Sequence, residues 1–119
     1  MRLVDFIRDV AGAKGTKALC REGGCGACTV VATVPDLAAD GGNVRTFNLH
    51  ACQQLVYACS GWSIETIEGL GNRHAGYHKL QRSLAGFYGT QCGYCSPGMV
   101  MAAYGYDFMI CIMYMNYLC

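Results

Sequence analysis

The chain has 119 residues, enough for one ordinary domain or two very small ones sharing a core, and too few for a large multi-domain enzyme. Nine lysines and arginines against eight acids leave a net charge of +1, which excludes the basic excess of a nucleic-acid binder and the acidic run of a solvated tail. No charged segment followed by an apolar stretch and a small-residue cleavage site opens the sequence, so a cytoplasmic location is expected, where nine cysteines, an odd number, read as ligands rather than disulfides.

In chain order, Leu3, Phe6, Ile7 and Val10 fall at helical spacing, with Arg2, Asp5, Arg8 and Asp9 opposite them, and predict a short amphipathic helix. A loop rich in glycine and cysteine follows. Residues 29 to 34, TVVATV, are β-branched and predict a strand; PDLAADGGN supplies turn chemistry, and VRTFNLHAC predicts a second strand running into Cys52. WSIETIE, residues 62 to 68, predicts a third. Beyond Gly71 the character is helical: Tyr77, Leu80, Leu84, Phe87 and Tyr88 keep a helical period, and Ser96-Pro97 reads as the cap and first position of a further helix. The chain thus divides into residues 1–71, strand-rich, and residues 72–119, helical, an α+β organisation with a cysteine loop in each half.

The stretch CREGGCGAC packs three cysteines and three glycines into nine residues. Cys20, Cys25 and Cys28 form C-x4-C-x2-C, and Cys52 follows at the end of a predicted strand, the spacing of plant-type [2Fe-2S] ferredoxins. Gly23, Gly24 and Gly26, with small Ala27, let the backbone wrap closely so that N–H groups point at sulfur. Zinc is the competing reading, although paired C-x2-C knuckles or Cys/His sets are its usual donors. Cys59 competes with Cys52 as the fourth ligand. Taken singly, Cys59, Cys111 and Cys119 read as structural thiols. His74 and His78 stand at i, i+4 but read as exposed helix positions, and His50 carries no signal of its own. Neither G-x-G-x-x-G nor a Walker lysine is present.

GTKALCREGGCGACTV from Gly15, HAC at 50–52, ETIEGLG at 65–71 and LQRSLAGFYGTQCGYCSPGMVMAAY at 80–104 together resemble the iron-sulfur region of the molybdenum hydroxylases, the xanthine dehydrogenase and aldehyde oxidase family. The Arg21-Glu22 pair leans toward the insect aldehyde oxidases. The resemblance implies a β-grasp, ferredoxin-like half with one [2Fe-2S] cluster and a helical-bundle half with a second. It implies electrons passed singly from a molybdopterin centre toward FAD as aldehydes or purine-like heterocycles are oxidised. It assigns Cys20, Cys25, Cys28 and Cys52 to the first cluster, Cys92 and Cys95 to the second, and Gln91 to a molybdopterin contact. Partners are FAD- and molybdopterin-binding domains or subunits; family enzymes are homodimers, and no membrane is implied. No catalytic residue and no substrate site are expected in this chain itself.

Three departures qualify the likeness. The family's first β-hairpin has no counterpart, which leaves an unpaired sheet edge. The second cluster needs two more thiolates, a C-x-C pair in the family, and no C-x-C occurs here. After Tyr104 the run GYDFMICIMYMNYLC departs from the family and is short of a membrane span, with Asp107 inside it. On one continuous helix Cys111 and Cys119 lie about 12 Å apart, too far to share an iron. The chain reads as a fragment or truncated product; the alternative functions are a non-catalytic remnant acting as a partner-binding fragment, or a zinc-binding module.

Overall fold

The structure, a computed structural model, describes residues 1–36 and 42–117, with side chains as far as Asp107. Helix α1 (Leu3–Asp5) runs directly into a π turn (Phe6–Val10). The N–H groups of Leu3 and Val4, which have no partner inside a helix, donate to the carbonyls of Gln54 (2.8 Å) and Ala51 (3.0 Å). The start of the chain is therefore fastened to the segment around Cys52. Leu3, Val4 and Ile7 are buried, whereas Phe6 and Val10 are exposed, against the expectation that both face inward. The wider i to i+5 turn, closed by Ala11 N–H to the Phe6 carbonyl at 2.9 Å, takes these two out of the α-helical period.

Strand β1 (Thr29–Pro35) pairs antiparallel with β2 (Val44–His50) in the register Thr29 to His50 through Pro35 to Val44. On its other side it pairs antiparallel with the short β3 (Ser63–Glu65), giving the order β2-β1-β3. Central β1 is paired along both edges and also covered on both faces, so Thr29, Val30, Val31 and Ala32 are all buried. Val30 joins Leu3, Val4 and Ile7 on one side; Val31, pointing the other way, lies against helix α4 (Ser96–Tyr117) at Gly105. Full burial of side chains such as Val4, Val30 and Met101 contributes roughly 1.5–3 kcal/mol each.

The third strand is shorter than WSIETIE predicts, because Ile67–Leu70 turns into helix α2. Glu68 holds that turn, accepting from Gly15 N–H at 2.6 Å and from the Thr66 hydroxyl at 2.8 Å, and so ties it to the cysteine loop's approach. Helix α3 covers only Lys79–Gly86, so Tyr77, Phe87 and Tyr88 lie outside it and are exposed. Its cap is His78, whose Nδ1 accepts from Leu80 N–H (3.2 Å) while Gln81 Oε1 accepts from His78 N–H (2.9 Å). The His78 ring also meets Tyr104 edge-on, with centroids 5.4 Å apart. His78 is thus a half-buried capping residue, and His74 alone is an exposed position.

Helix α4 starts one residue earlier than Ser96-Pro97 predicts, since Met99 N–H donates to the carbonyl of Cys95 (3.0 Å). It crosses β1 and β2, where Asn48 Nδ2 donates to the Ala102 carbonyl at 2.9 Å. At Gly98 the helix approaches the cysteine loop so closely that a Cβ there would overlap the Gly26 carbonyl and lie 2.9 Å from the Ala27 Cα. No helix among the described residues is long and apolar enough to cross a membrane.

Candidate metal centre

The hairpin register builds the first site. With Thr29 opposite His50, the residues just outside the ladder meet, and Ala51 N–H donates to the Cys28 carbonyl at 3.2 Å. Cys28 and Cys52 are accordingly neighbours, both buried at 2% exposure. The Cys28 thiol is pushed up to about 11, mainly by burial, with the thiol of Cys52 and the charge of Cys25 adding to it against a Cys52 backbone donor. Cys20 goes the other way. Backbone N–H groups of Glu22 and then Cys25, aided by the Cys25 side chain, draw its thiol down to about 6, and Cys25 N lies 3.4 Å from Cys20 Sγ. The four thiols therefore form two pairs, Cys20 with Cys25 and Cys28 with Cys52, linked through Cys25 and Cys28. Among the described residues no three His, Cys, Asp or Glu side chains gather around a single ion.

The loop keeps this shape by backbone conformation and by bracing. Gly23 and Gly26 have φ of +81° and +72°, which side-chain-bearing residues rarely adopt. Arg21 is an exception at φ +60°, and its neighbours hold it there. Its carbonyl accepts from Arg2 Nη1 (2.6 Å) and Gln53 Nε2 (3.4 Å), and its guanidinium pairs with Asp5 at 2.8 Å. Gln53 Nε2 also lies 3.6 Å from Cys52 Sγ. Sequence reasoning missed these braces; the adjacency of Gln53 to Cys52 was the one local sign of them. The rival fourth thiol, Cys59, ends a 3-10 turn (Val56–Cys59) and points its Sγ at the Leu55 carbonyl, 3.5 Å away. Burial raises its pKa.

The second cysteine loop joins α3 to α4. Cys92 and Cys95 are both exposed, as is Gln91 beside them. A hydroxyl pair, Thr90 and Ser96 at 2.6 Å, closes the loop, and the Tyr94 hydroxyl donates to the Ala18 carbonyl (2.9 Å), docking it on the approach to the first loop. Cys95 Sγ lies 3.7 Å from Met99 Sδ. A cavity of about 220 Å³ separates the two sites, lined by Cys25, His50, Cys95, Gly98 and Met99 among others. His50 and Met99 acquire this place only from the fold. Helix α4 is continuous through Cys111, which sits about 24 Å along its axis from Cys95, while Cys119 lies outside the described residues.

The donor set of the first site fits a [2Fe-2S] cluster, with two thiolates for each iron and amides aimed at sulfur. The described residues of the second site offer half such a set.

Two known families match successive parts of the chain. A family described as 2Fe-2S iron-sulfur cluster binding domain matches residues 1–60, and one described as [2Fe-2S] binding domain matches residues 66–107. Xanthine dehydrogenase of Oryza sativa subsp. japonica is 43% identical over 104 residues, covering 87% of this chain and 7% of the relative. Probable aldehyde oxidase 1 of the same organism is 42% identical over 104 residues, 87% of this chain and 8% of the relative. The chain thus spans less than a tenth of the length of these relatives. Among solved structures, quinoline 2-oxidoreductase from Pseudomonas putida 86 superposes with a TM-score of 0.72 at 35% identity, over 88% of this chain and 57% of that one. Aldehyde oxidoreductase from Desulfovibrio gigas gives 0.71 at 35% identity, over 88% of this chain and 10% of that one.

Proposed function

Because the chain belongs to the 2Fe-2S iron-sulfur cluster binding family, we propose that it is the electron-relay part of a molybdenum-flavin oxidoreductase of the xanthine dehydrogenase and aldehyde oxidase type. The observation that carries this reading is the pairing of four thiols two by two, with Cys20 and Cys25 on one side and Cys28 and Cys52 on the other. Cys20 and Cys25 would hold one iron, Cys28 and Cys52 the other. A bound [2Fe-2S] cluster supplies one-electron chemistry. The chain's own contribution is electrostatic. The amides of Glu22 and Cys25 stabilise the Cys20 thiolate, Gln53 Nε2 donates toward Cys52 Sγ, and burial of Cys28 and Cys52 keeps water from that side. The family match supports the iron-sulfur reading over a zinc module.

Residues 72–119 are the second unit in this proposal, with Cys92 and Cys95 as two ligands of a second cluster and Gln91, whose amide both donates and accepts, as a molybdopterin contact. FAD and molybdopterin belong to further domains or subunits, the assembly is a cytoplasmic homodimer, and its substrates are aldehydes or purine-like heterocycles. Relatives of both substrate types stand at nearly the same identity, so identity does not choose between them. The two-thiol second loop favours one further reading, a partner-binding remnant that completes no second cluster.

Anaerobic reconstitution of the chain with iron and sulfide tests the proposal. The expected result is about two irons and two acid-labile sulfides per chain, with one electron paramagnetic resonance signal on reduction. Zinc without labile sulfide would overturn the first-site assignment. About four irons and two signals would show that the second loop finds its missing ligands within these residues.

A further inference from the structure

The loop carrying Cys92 and Cys95 has a chemistry that electron relay at the first site does not use. Both thiols are exposed, two residues separate them, and the bend through 91–95 turns at Gly93, with φ +80°. The hydroxyl pair of Thr90 and Ser96 draws the ends of this short loop together at 2.6 Å, and Tyr94 pins its middle to Ala18. Cys95 is fixed more firmly than Cys92, since its carbonyl accepts from Met99 N–H and begins helix α4. The contrast with the first site is chemical. There the thiols are braced from several elements and two of them are buried; here two exposed thiols stand two residues apart on one closed loop.

We propose that Cys92 and Cys95 form a reversible dithiol–disulfide couple, a redox site that competes with iron for the same two sulfurs. A small-molecule disulfide such as oxidised glutathione is the oxidant. One protein thiolate attacks it, breaking its S–S bond, forming a mixed disulfide and releasing one glutathione thiol. The other protein thiolate then attacks the mixed disulfide and releases the second. In balance, two protein thiols lose two electrons and two protons to become one S–S bond, and one glutathione disulfide gains them to become two thiols. The C-x-x-C spacing suits the step because the resolving thiol is already within one turn of chain. The oxidised loop has no thiolate to offer a metal.

Cys25 is the competitor, because it faces the same cavity as Cys95. The reduced, metal-free 119-residue chain is therefore equilibrated with graded ratios of oxidised to reduced glutathione, quenched with acid, labelled with N-ethylmaleimide and analysed by intact mass and peptide mapping. At the first ratios giving one disulfide per chain, two labels should be lost together and the linked peptides should carry Cys92 and Cys95. Cys92→Ser or Cys95→Ser should replace that species with a single glutathione adduct. A Cys25 to Cys95 link, a mixture of links with none dominant, or stable glutathione adducts on the unsubstituted chain would each overturn the proposal. The measurement needs no cluster, so failure here and failure of the cluster reading are told apart.

Discussion

The two cysteine loops use the same local vocabulary, thiols separated by glycine and small residues, and differ in what the rest of the fold brings to them. At the first loop the β1–β2 register delivers Cys52 from 24 positions beyond Cys28, and Arg2, Asp5 and Gln53 reach in to hold the loop. At the second loop the bracing is a hydroxyl pair and one tyrosine, and no described thiol arrives from elsewhere except across a cavity. A cysteine motif alone is thus half a metal site. At the proposed first site the fold supplies the rest: the distant fourth thiol, Cys52, and the side chains that brace the loop.

The largest test of that contrast is to remove the distant ligand. Cys52→Ser should abolish the visible absorption of the reconstituted cluster and most of its labile sulfide, whereas Cys59→Ser, whose thiol faces the Leu55 carbonyl, should leave both unchanged. The reverse pattern would transfer the fourth-ligand role to Cys59.

Reactivity within the first loop gives the next effect. In the metal-free chain Cys20, drawn down to about 6, is a thiolate at neutral pH, and Cys28, pushed up to about 11 and buried, is not. Iodoacetamide at pH 7.5 should label Cys20 faster than Cys28 by roughly tenfold or more, even after allowing for the weaker intrinsic nucleophilicity of a low-pKa thiolate. Mass-spectrometric time courses give the ratio. The linkage signs are opposite. The lowered Cys20 contributes stability that is complete above its ordinary value of 9.0 and is lost as pH falls through about 6. The raised Cys28 contributes stability that is complete below 9.0 and is lost as pH rises through about 11.

The contact between the halves gives the smallest effect. Gly98→Ala places a methyl into the Gly26 carbonyl and Ala27, both backbone, and should destabilise the chain by about 1–3 kcal/mol in urea unfolding, more than offsetting the better helix propensity of alanine. Gly86→Ala, also helical but with open space around it, should be neutral or stabilise by up to about 1 kcal/mol. Equal effects at both positions would deny that Gly98 marks a close approach.

Much of the candidate site was legible in the sequence because thiol spacing is set by the cluster rather than by the surrounding fold. The β1 strand was legible for a different reason: TVVATV is almost wholly β-branched, which suits an extended backbone whatever covers its faces. What escaped is what depends on partners far along the chain. Glu68 bends away from the predicted third strand because Gly15 and Thr66 donate to it. Phe6 and Val10 turn outward through a π turn that no residue pattern announced. His78 reads as an ordinary surface residue until Gln81 closes the cap with it. Cys95, rather than Ser96, takes the cap position of the last helix, and the Ser96 hydroxyl is engaged with Thr90.

The double cover of β1 carries a consequence for how the molecule comes apart. The strand lies between Leu3, Val4 and Ile7, from α1 and the π turn after it, on one side and α4 on the other, so neither cover can peel away without exposing it. Its backbone amides should then be released only by openings that cost close to the full unfolding free energy, while the exposed loop at 91–95 can open locally at little cost. One sulfur site is attached through Cys28 and Cys52 to the doubly covered strand, and the other stands on an exposed loop held by two hydroxyls and one tyrosine.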